Sequence, residues 1–348
     1  MITPTSFLSI VRREKEQRMP RLFAEFDVKL PGQCLYAFPD AAEVTYKLPV
    51  QEYEVEIILQ MEKGSNNRGH GDTNWIGALR TLKVIASREE SEFPPPVNPD
   101  SSGIRDYSIQ FEYFWTRIGL YAAAAREITN RFIRYFQFTL GTPHLTEFKS
   151  GDQAFSNATW KNILGEEVGK GATIVVFTSV PGLSGALRSD CLSQENLDDL
   201  GKFLLNPQNF SVAEQLIDNA RSAWFDGNLQ RTVLELAIGC EVIVKRRFFS
   251  EDSPSGAAFD YLEDRAKVNI KVLELIDVVA HAAFAKSFKT SNLNDYRNID
   301  YLFRCRNKIA HRGILSLRTD SAETIVPDKN MIADWFNSVI KLRAWLYA

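Results

Sequence analysis

The sequence predicts an α+β protein, with a β-rich mixed domain over residues 1–206 followed by an all-helical domain over 207–348. Three observations carry that division. Apolar and polar residues alternate between residues 21 and 60, the period of strands with one buried face. From Ser211 onward the apolar spacing becomes three and four, the period of helices. Asn206, Pro207 and Asn209 form a breaker cluster between the two patterns. A chain of 348 residues is long enough for two domains of ordinary size.

Residues 1–20 offer only Phe7, Leu8, Ile10 and Val11 as an apolar face and read as a short helix or arm. Phe26, Val28 and Leu30 then alternate with polar residues, as do Val55 and Ile57, and V-T-Y-K-L-P-V between them is a third strand. A loop over 61–75 holds His70 and Asp72 and leads to an apolar run at 79–86. Two such side chains are too few for a metal, and Gly and Asn at this density are first of all turn formers. The prolines at 94–96 begin a stiff exposed linker or long loop. Alternation of Tyr107, Ile109, Phe111 and Tyr113 predicts a strand over 106–113. Ile118, Tyr121, Ala125, Ile128, Phe132, Tyr135 and Phe136 predict a helix over 117–140, stopped by Gly141 and Pro143. Its aromatic stripe suits a core or a surface that stacks bases. The glycines and Lys170 within 165–178 lack phosphate-loop spacing, and their strand follows them, so 172–180 reads as a buried strand.

A short helix over 195–205 closes the first domain. Ser211 followed by Glu214 is a capping box that starts the next helix. Asp226, Gly227 and Asn228 interrupt it, and a second helix runs over 229–249. A polar loop at 251–256 leads to a long third helix over 259–288, and Asn292 or Asn294 caps a fourth that Gly313 stops. I-L-S-L and E-T-I-V make a small hairpin before a last helix over 330–347.

No stretch approaches the roughly 18 uninterrupted apolar residues of a membrane span. The first residues lack the basic-then-apolar order of a signal peptide, so the chain reads as cytoplasmic and not membrane-bound. Cys34, Cys191, Cys240 and Cys305 are scattered without a C-x-x-C pair, which suggests neither a disulfide framework nor a zinc site. No cofactor is implied. The formal charge of −3 argues against a surface coated for nucleic acid. Charge is nonetheless uneven: over 297–318 stand Arg297, Arg304, Arg306, Lys308, Arg312 and Arg318 against Asp300 alone. Such a local patch can hold a phosphate backbone in an acidic protein. Lys245, Arg246 and Arg247 form a second cluster, where any helix C-terminus favours cations.

Residues 303–313, F-R-C-R-N-K-I-A-H-R-G, concentrate the chemistry. Gly313 places His311 and Arg312 in the last helical turn. Asn307 and His311, four apart, share a helix face, whereas Arg306 and His311, five apart, lie about 140° from each other. Arg306 therefore meets the histidine only by wrapping around or across a subunit interface. A histidine that trades protons near neutrality, an arginine fork matched to phosphate oxygens and an orienting amide suit metal-free phosphodiester chemistry. The same residues also suit a solvated helix face with a capping histidine. Glu235 and Glu241 are acidic positions on a largely apolar helix, and a buried carboxylate needs a partner, for which Arg306 is the obvious choice.

The helical run from Ser211 to R-N-K-I-A-H resembles the HEPN family (higher eukaryotes and prokaryotes nucleotide-binding). That family's signature is an arginine, four to six residues and a histidine, often with a polar residue after the arginine. Arg306, Asn307 and His311 fit it. Residues 219–241 (N-A-R-S-A-W-F-D-G-N-L-Q-R-T-V-L-E-L-A-I-G-C-E) are similar to the family's opening helix pair. Arg312 and Gly313 stand where some toxin members have another residue and a tyrosine.

The resemblance implies a helical bundle that dimerises with its signatures facing, and a metal-independent endoribonuclease acting in toxin or phage-defence systems. In that reading Arg306, Asn307 and His311 are catalytic, and Arg304, Lys308 and Arg312 hold the RNA. Glu235 and Glu241 support the arginine, and the N-terminal domain answers a regulatory protein or phage-derived trigger. Other members imply the alternative: a non-catalytic module that binds RNA, a nucleotide or a protein.

Overall fold

The computed structural model describes residues 20–38, 40–62, 65–66, 75–92, 94–95, 108–142, 144–170, 191–249 and 271–348. The protein is α+β: an antiparallel sheet unit ends at Gln208 and a largely helical unit begins at Asn209. All but the last residue of the arm expected over 1–20, the histidine and aspartate of the 61–75 loop and the strand over 172–180 lie outside the described residues.

The sheet is built from β1 (Arg21–Ala37), β2 (Ala42–Val50), β3 (Tyr53–Met61), β4 (Ser65–Asn66), β5 (Trp75–Glu89), β6 (Thr159–Lys161) and β7 (Glu167–Lys170). Its order is β2-β3-β5-β1-β6-β7, with β4 pairing β5, and every pairing is antiparallel. Alternation decides its faces. Leu22, Ala24, Phe26, Val28 and Leu30 are buried, as are Val55, Ile57 and Leu59 on β3. Between them, on the polar face, Glu25 accepts from Lys161 across 2.6 Å and pairs with Lys83 of the other neighbouring strand. Burial pushes the Glu25 carboxyl up, but the two lysine contacts outweigh it and hold its pKa below the usual range.

Helix α1 (Ser108–Arg134) continues through a π-helical turn, Tyr135–Thr139, and covers the apolar sheet face. Tyr121 packs edge-on against Tyr53 and Trp160, and Phe114 stacks on Trp160. The strand expected over 106–113 is instead helix from Ser108 onward. The alternation there was coincidental: Tyr113 is buried, while Ile109 and Phe111 point to solvent on the far side of the helix. Tyr121, Ile128, Phe132, Tyr135 and Phe136 are core residues, so this stripe does not stack bases. Gly141, at φ +67°, ends the element. Helix α2 (Leu197–Leu205) follows, and Tyr46 on β2 donates to its Leu197 carbonyl.

At the end of β5 the Glu90 side chain is only 4% exposed. It accepts from Arg88 at 2.7 Å, Arg117 at 3.2 Å and the Tyr121 hydroxyl at 2.7 Å. Burial pushes its pKa up, and the hydrogen bonds from Arg88 and Tyr121, with the arginine charges, bring it below the ordinary value.

The second unit comprises α3 (Val212–Phe225), α4 (Leu229–Phe248), α5 (Val272–Glu274), α6 (Ala280–Phe284), α7 (Phe288–Ser291), α8 (Leu293–Arg312), the hairpin β8 (Leu317–Arg318) and β9 (Thr324–Ile325), and α9 (Lys329–Tyr347). The Ser211–Glu214 capping box is present, Gly227 at φ +76° makes the break, and Asn228 caps α4. A π-helical turn, Leu275–Val279, joins α5 to α6. Of the single helix expected over 259–288, residues 259–270 lie outside the described residues; the rest starts afresh at Val272 after an extended Lys271 and stops at Phe284, because Ala285 turns left-handed and Ser287 caps a new short helix. Trp224, Leu236, Val244, Leu302, Trp335 and Phe336 fill the core. Cys240 and Cys305 join them, and burial pushes their thiols up to about 12 and about 11, so neither is a nucleophile. Gly239 lets α3 and α4 approach: a Cβ there would meet the Ala213 carbonyl at 3.2 Å.

Candidate functional site

Helix α8 fixes the candidate site. Ile299, Leu302, Cys305 and Ile309, spaced three, three and four apart, are buried and anchor one stripe among α4 and α9. At each such burial roughly 2 kcal/mol favours the docked helix. The remaining faces follow from that anchoring. Asn307 and His311 are exposed on one side, and Arg306 is half-buried on another. Gly313 takes φ +66° with no atom near its missing Cβ, and its carbonyl accepts from Gln230 on α4. The helix therefore ends with His311 and Arg312 in its last turn.

Arg304, Asn307, Lys308, His311, Arg312, Arg318 and Thr319 line one open groove of about 580 Å³. Five of these seven side chains are arginine, lysine or histidine. A basic strip of this kind can attract an anion. Lys308, His311 and Arg312 have no ion pair among the described residues, so their donors face solvent. Arg304 is different. It pairs with Asp300 one turn back and with Asp320 of the hairpin, and donates to the Arg318 carbonyl at 3.1 Å. The hydrogen bond to Asp300 raises its pKa further. Of the three cations expected to hold RNA, Arg304 holds the hairpin as well as lining the groove.

Arg306 does not line the groove. Its Nη1 donates to Asn307 Oδ1 at 3.1 Å, and its Nη2 lies 3.6 Å from Glu241 on α4. Glu241 also pairs with Lys245 at 2.9 Å. Of the two acidic positions offered as its support, Glu241 meets the arginine. Glu235 does not: it pairs with Arg231 one turn back at 2.9 Å, since Glu and Arg four apart satisfy each other on the same helix. The guanidinium is donor-only, so Asn307 turns its oxygen toward Arg306 and keeps its amide hydrogens to donate elsewhere. Asn307 is thus the residue common to the arginine and the histidine groove.

Arg318 and Thr319 join the groove from outside the signature helix; in sequence Arg318 belongs to the basic cluster and Thr319 to no motif. The signal was the hairpin itself, which returns the chain over the end of α8 as soon as Gly313 has stopped the helix. Among the described residues no group of three His, Cys, Asp or Glu side chains could hold a metal ion, and no helix is long and apolar enough to cross a membrane. Compared with protein-family models, curated proteins and solved structures, the chain has no match.

Proposed function

We propose that the protein is a metal-independent endoribonuclease of HEPN type, with the helical unit as its catalytic part. The observation that carries this is the placement of Asn307 and His311 in one basic groove while Asn307 also holds Arg306. In the reaction His311 takes the proton of an RNA 2′-hydroxyl, whose oxygen attacks the adjacent phosphorus. The P–O5′ bond breaks, and the departing 5′-oxygen takes up a proton. The products are a 2′,3′-cyclic phosphate and a 5′-hydroxyl. Asn307 donates to a phosphate oxygen, and Arg306 stabilises the negative charge growing on the phosphorane. Lys308, Arg312 and Arg318 hold the flanking phosphates.

Within one copy Arg306 is turned toward Glu241 and away from the groove. A homodimer of helical units with facing signatures would bring each Arg306 to its mate's His311, so that one imidazole acts as base and the other as acid. In this reading the sheet unit receives a trigger, in a cytoplasmic toxin or phage-defence system. The test is incubation of wild-type and His311→Ala protein with cellular RNA in EDTA, followed by analysis of fragment ends. Cleavage with cyclic phosphate ends by the wild type alone is the expected result, and equal cleavage by both proteins rejects it.

The Glu241 contact favours a second reading, in which Arg306 is structural and the groove binds RNA, a nucleotide or an acidic partner without turnover. It is distinguished by salt-sensitive RNA binding that Arg312→Glu removes, with no fragments formed.

A further inference from the structure

Helix α1 buries one face against the sheet and leaves the opposite face exposed over residues 109–120, while farther along that face Asn130 is buried and bonded to the Phe148 backbone. Phe111 and Trp115 are 61% and 67% exposed, and their rings stack with centroids 5.7 Å apart. Ile109 and Leu120 flank them, also exposed. Single exposed apolar residues are ordinary, but two stacked aromatics within such a patch mark an interaction surface. Next along the stripe come Gly119, where a Cβ would meet nothing within 4 Å, and the half-buried Ala123. One end of the stripe is bulky and the other is small.

The stripe has a further regularity. At 100° per residue, Gly119 centres the outward face, with Trp115 and Ala123 about 40° to either side and Glu112 and Arg126 about 20° to either side. Each pair is equidistant from Gly119 along the chain. Neither the Glu112 carboxylate nor the Arg126 guanidinium has a partner among the described residues. If two copies of the helix are laid antiparallel across a two-fold axis at Gly119, Glu112 faces Arg126 twice and Trp115 covers Ala123 twice.

We propose that α1 is a self-association surface and that its occupant is α1 of a second copy. Charge selects this occupant. A nucleic-acid stacking platform lies in a positive groove, whereas this face carries one carboxylate and one guanidinium, placed to neutralise each other only in the antiparallel pair. Gly119 at the crossing lets the two backbones approach. Gln110 donates to the Val168 carbonyl and ties the start of the helix to β7, beside the turn that exposes Ile163 and Leu164. The inference does not depend on the chemistry proposed for His311.

Sedimentation of the full chain tests it, with wild type, Trp115→Glu, Glu112→Arg, Arg126→Glu and the double reversal Glu112→Arg/Arg126→Glu. Trp115→Glu and each single reversal are expected to weaken association by roughly tenfold, and the double reversal to restore it. Gly119→Cys is expected to form an intermolecular disulfide on mild oxidation that wild type does not, because a two-fold axis sets residue 119 against itself. Unchanged circular dichroism checks that each variant folds. A Gly119→Cys disulfide that forms as readily when Trp115→Glu is added, a double reversal no better than the single ones, or failure of Gly119→Cys to cross-link overturns the proposal, whereas association through the helical units alone leaves residue 119 uncross-linked. Loss of RNA binding in Trp115→Glu at unchanged mass also overturns it, in favour of base stacking.

Discussion

Arg306 donates to the side-chain oxygen of its chain neighbour Asn307 across 3.1 Å while facing Glu241 on the adjacent helix. One amide thereby connects a charged group outside the groove to the groove that His311 lines. Asn307→Asp keeps an acceptor for Arg306 but replaces the donor with a negative charge. RNA cleavage is expected to fall by about a hundredfold or more in this variant, read as kcat/KM on a fluorescent oligonucleotide. A loss of no more than threefold would remove Asn307 from the catalytic group.

Arg304 gives a prediction that separates positioning from binding. Its salt bridge to Asp320 and its bond to the Arg318 carbonyl hold the β8–β9 hairpin against α8. Asp320→Asn adds to the positive charge of the groove, so RNA would bind more tightly if charge were all that mattered. If hairpin placement dominates, Asp320→Asn and Arg304→Ala both weaken RNA binding, and an anisotropy titration at fixed salt decides.

Gly313 has a left-handed backbone and empty space where a side chain would go. Gly313→Ala therefore costs about 1 kcal/mol from backbone strain alone, without a steric clash. A chemical denaturation midpoint measures the loss. Gln230→Ala, which removes the bond to the Gly313 carbonyl, is expected to be milder.

Glu90 couples stability to pH. Its folded pKa lies below the ordinary value of 4.5, so its contribution is fully present above that value and is lost as pH falls through the lowered one. Glu90→Gln is expected to cost about 3 kcal/mol at pH 7, because Arg88 and Arg117 lose the charge they share. The gap between variant and wild type closes as the solution is acidified below pH 4.5. A gap that stays constant down to pH 3 would show that the charge is not what stabilises the cluster.

The parts of this fold that were legible in the sequence are those governed by local rules. Ser211 with Glu214, Asn228 after Gly227, and Gly313 after Arg312 mark helix ends through bonds made within a few residues. Alternation from Phe26 to Leu30 marked a strand because one face alone is buried. The same rule failed at Ile109 and Phe111, where apolar residues face solvent and periodicity no longer reports the core. Ala285 gave no warning of a helix end, since alanine has no preference for the left-handed conformation it takes there. In the site, helix geometry separated Arg306 from His311 and joined Asn307 to it, but the preference of Glu235 for Arg231 and of Glu241 for Arg306 depends on how α4 and α8 cross. Arg318 and Thr319 enter the groove through chain reversal, which no spacing within a single element encodes.

The glycine-stopped end of α8 also has a kinetic consequence. Amides around Ile299, Leu302 and Cys305 lie over buried side chains and exchange with solvent only when the whole bundle opens. Those around His311 and Arg312 sit in an exposed final turn with no apolar cover, so they exchange through local fraying at far smaller cost. Within a single helix the amide-exchange rate is expected to rise by orders of magnitude from its middle to its end. The imidazole can therefore reposition while the bundle that carries it stays shut.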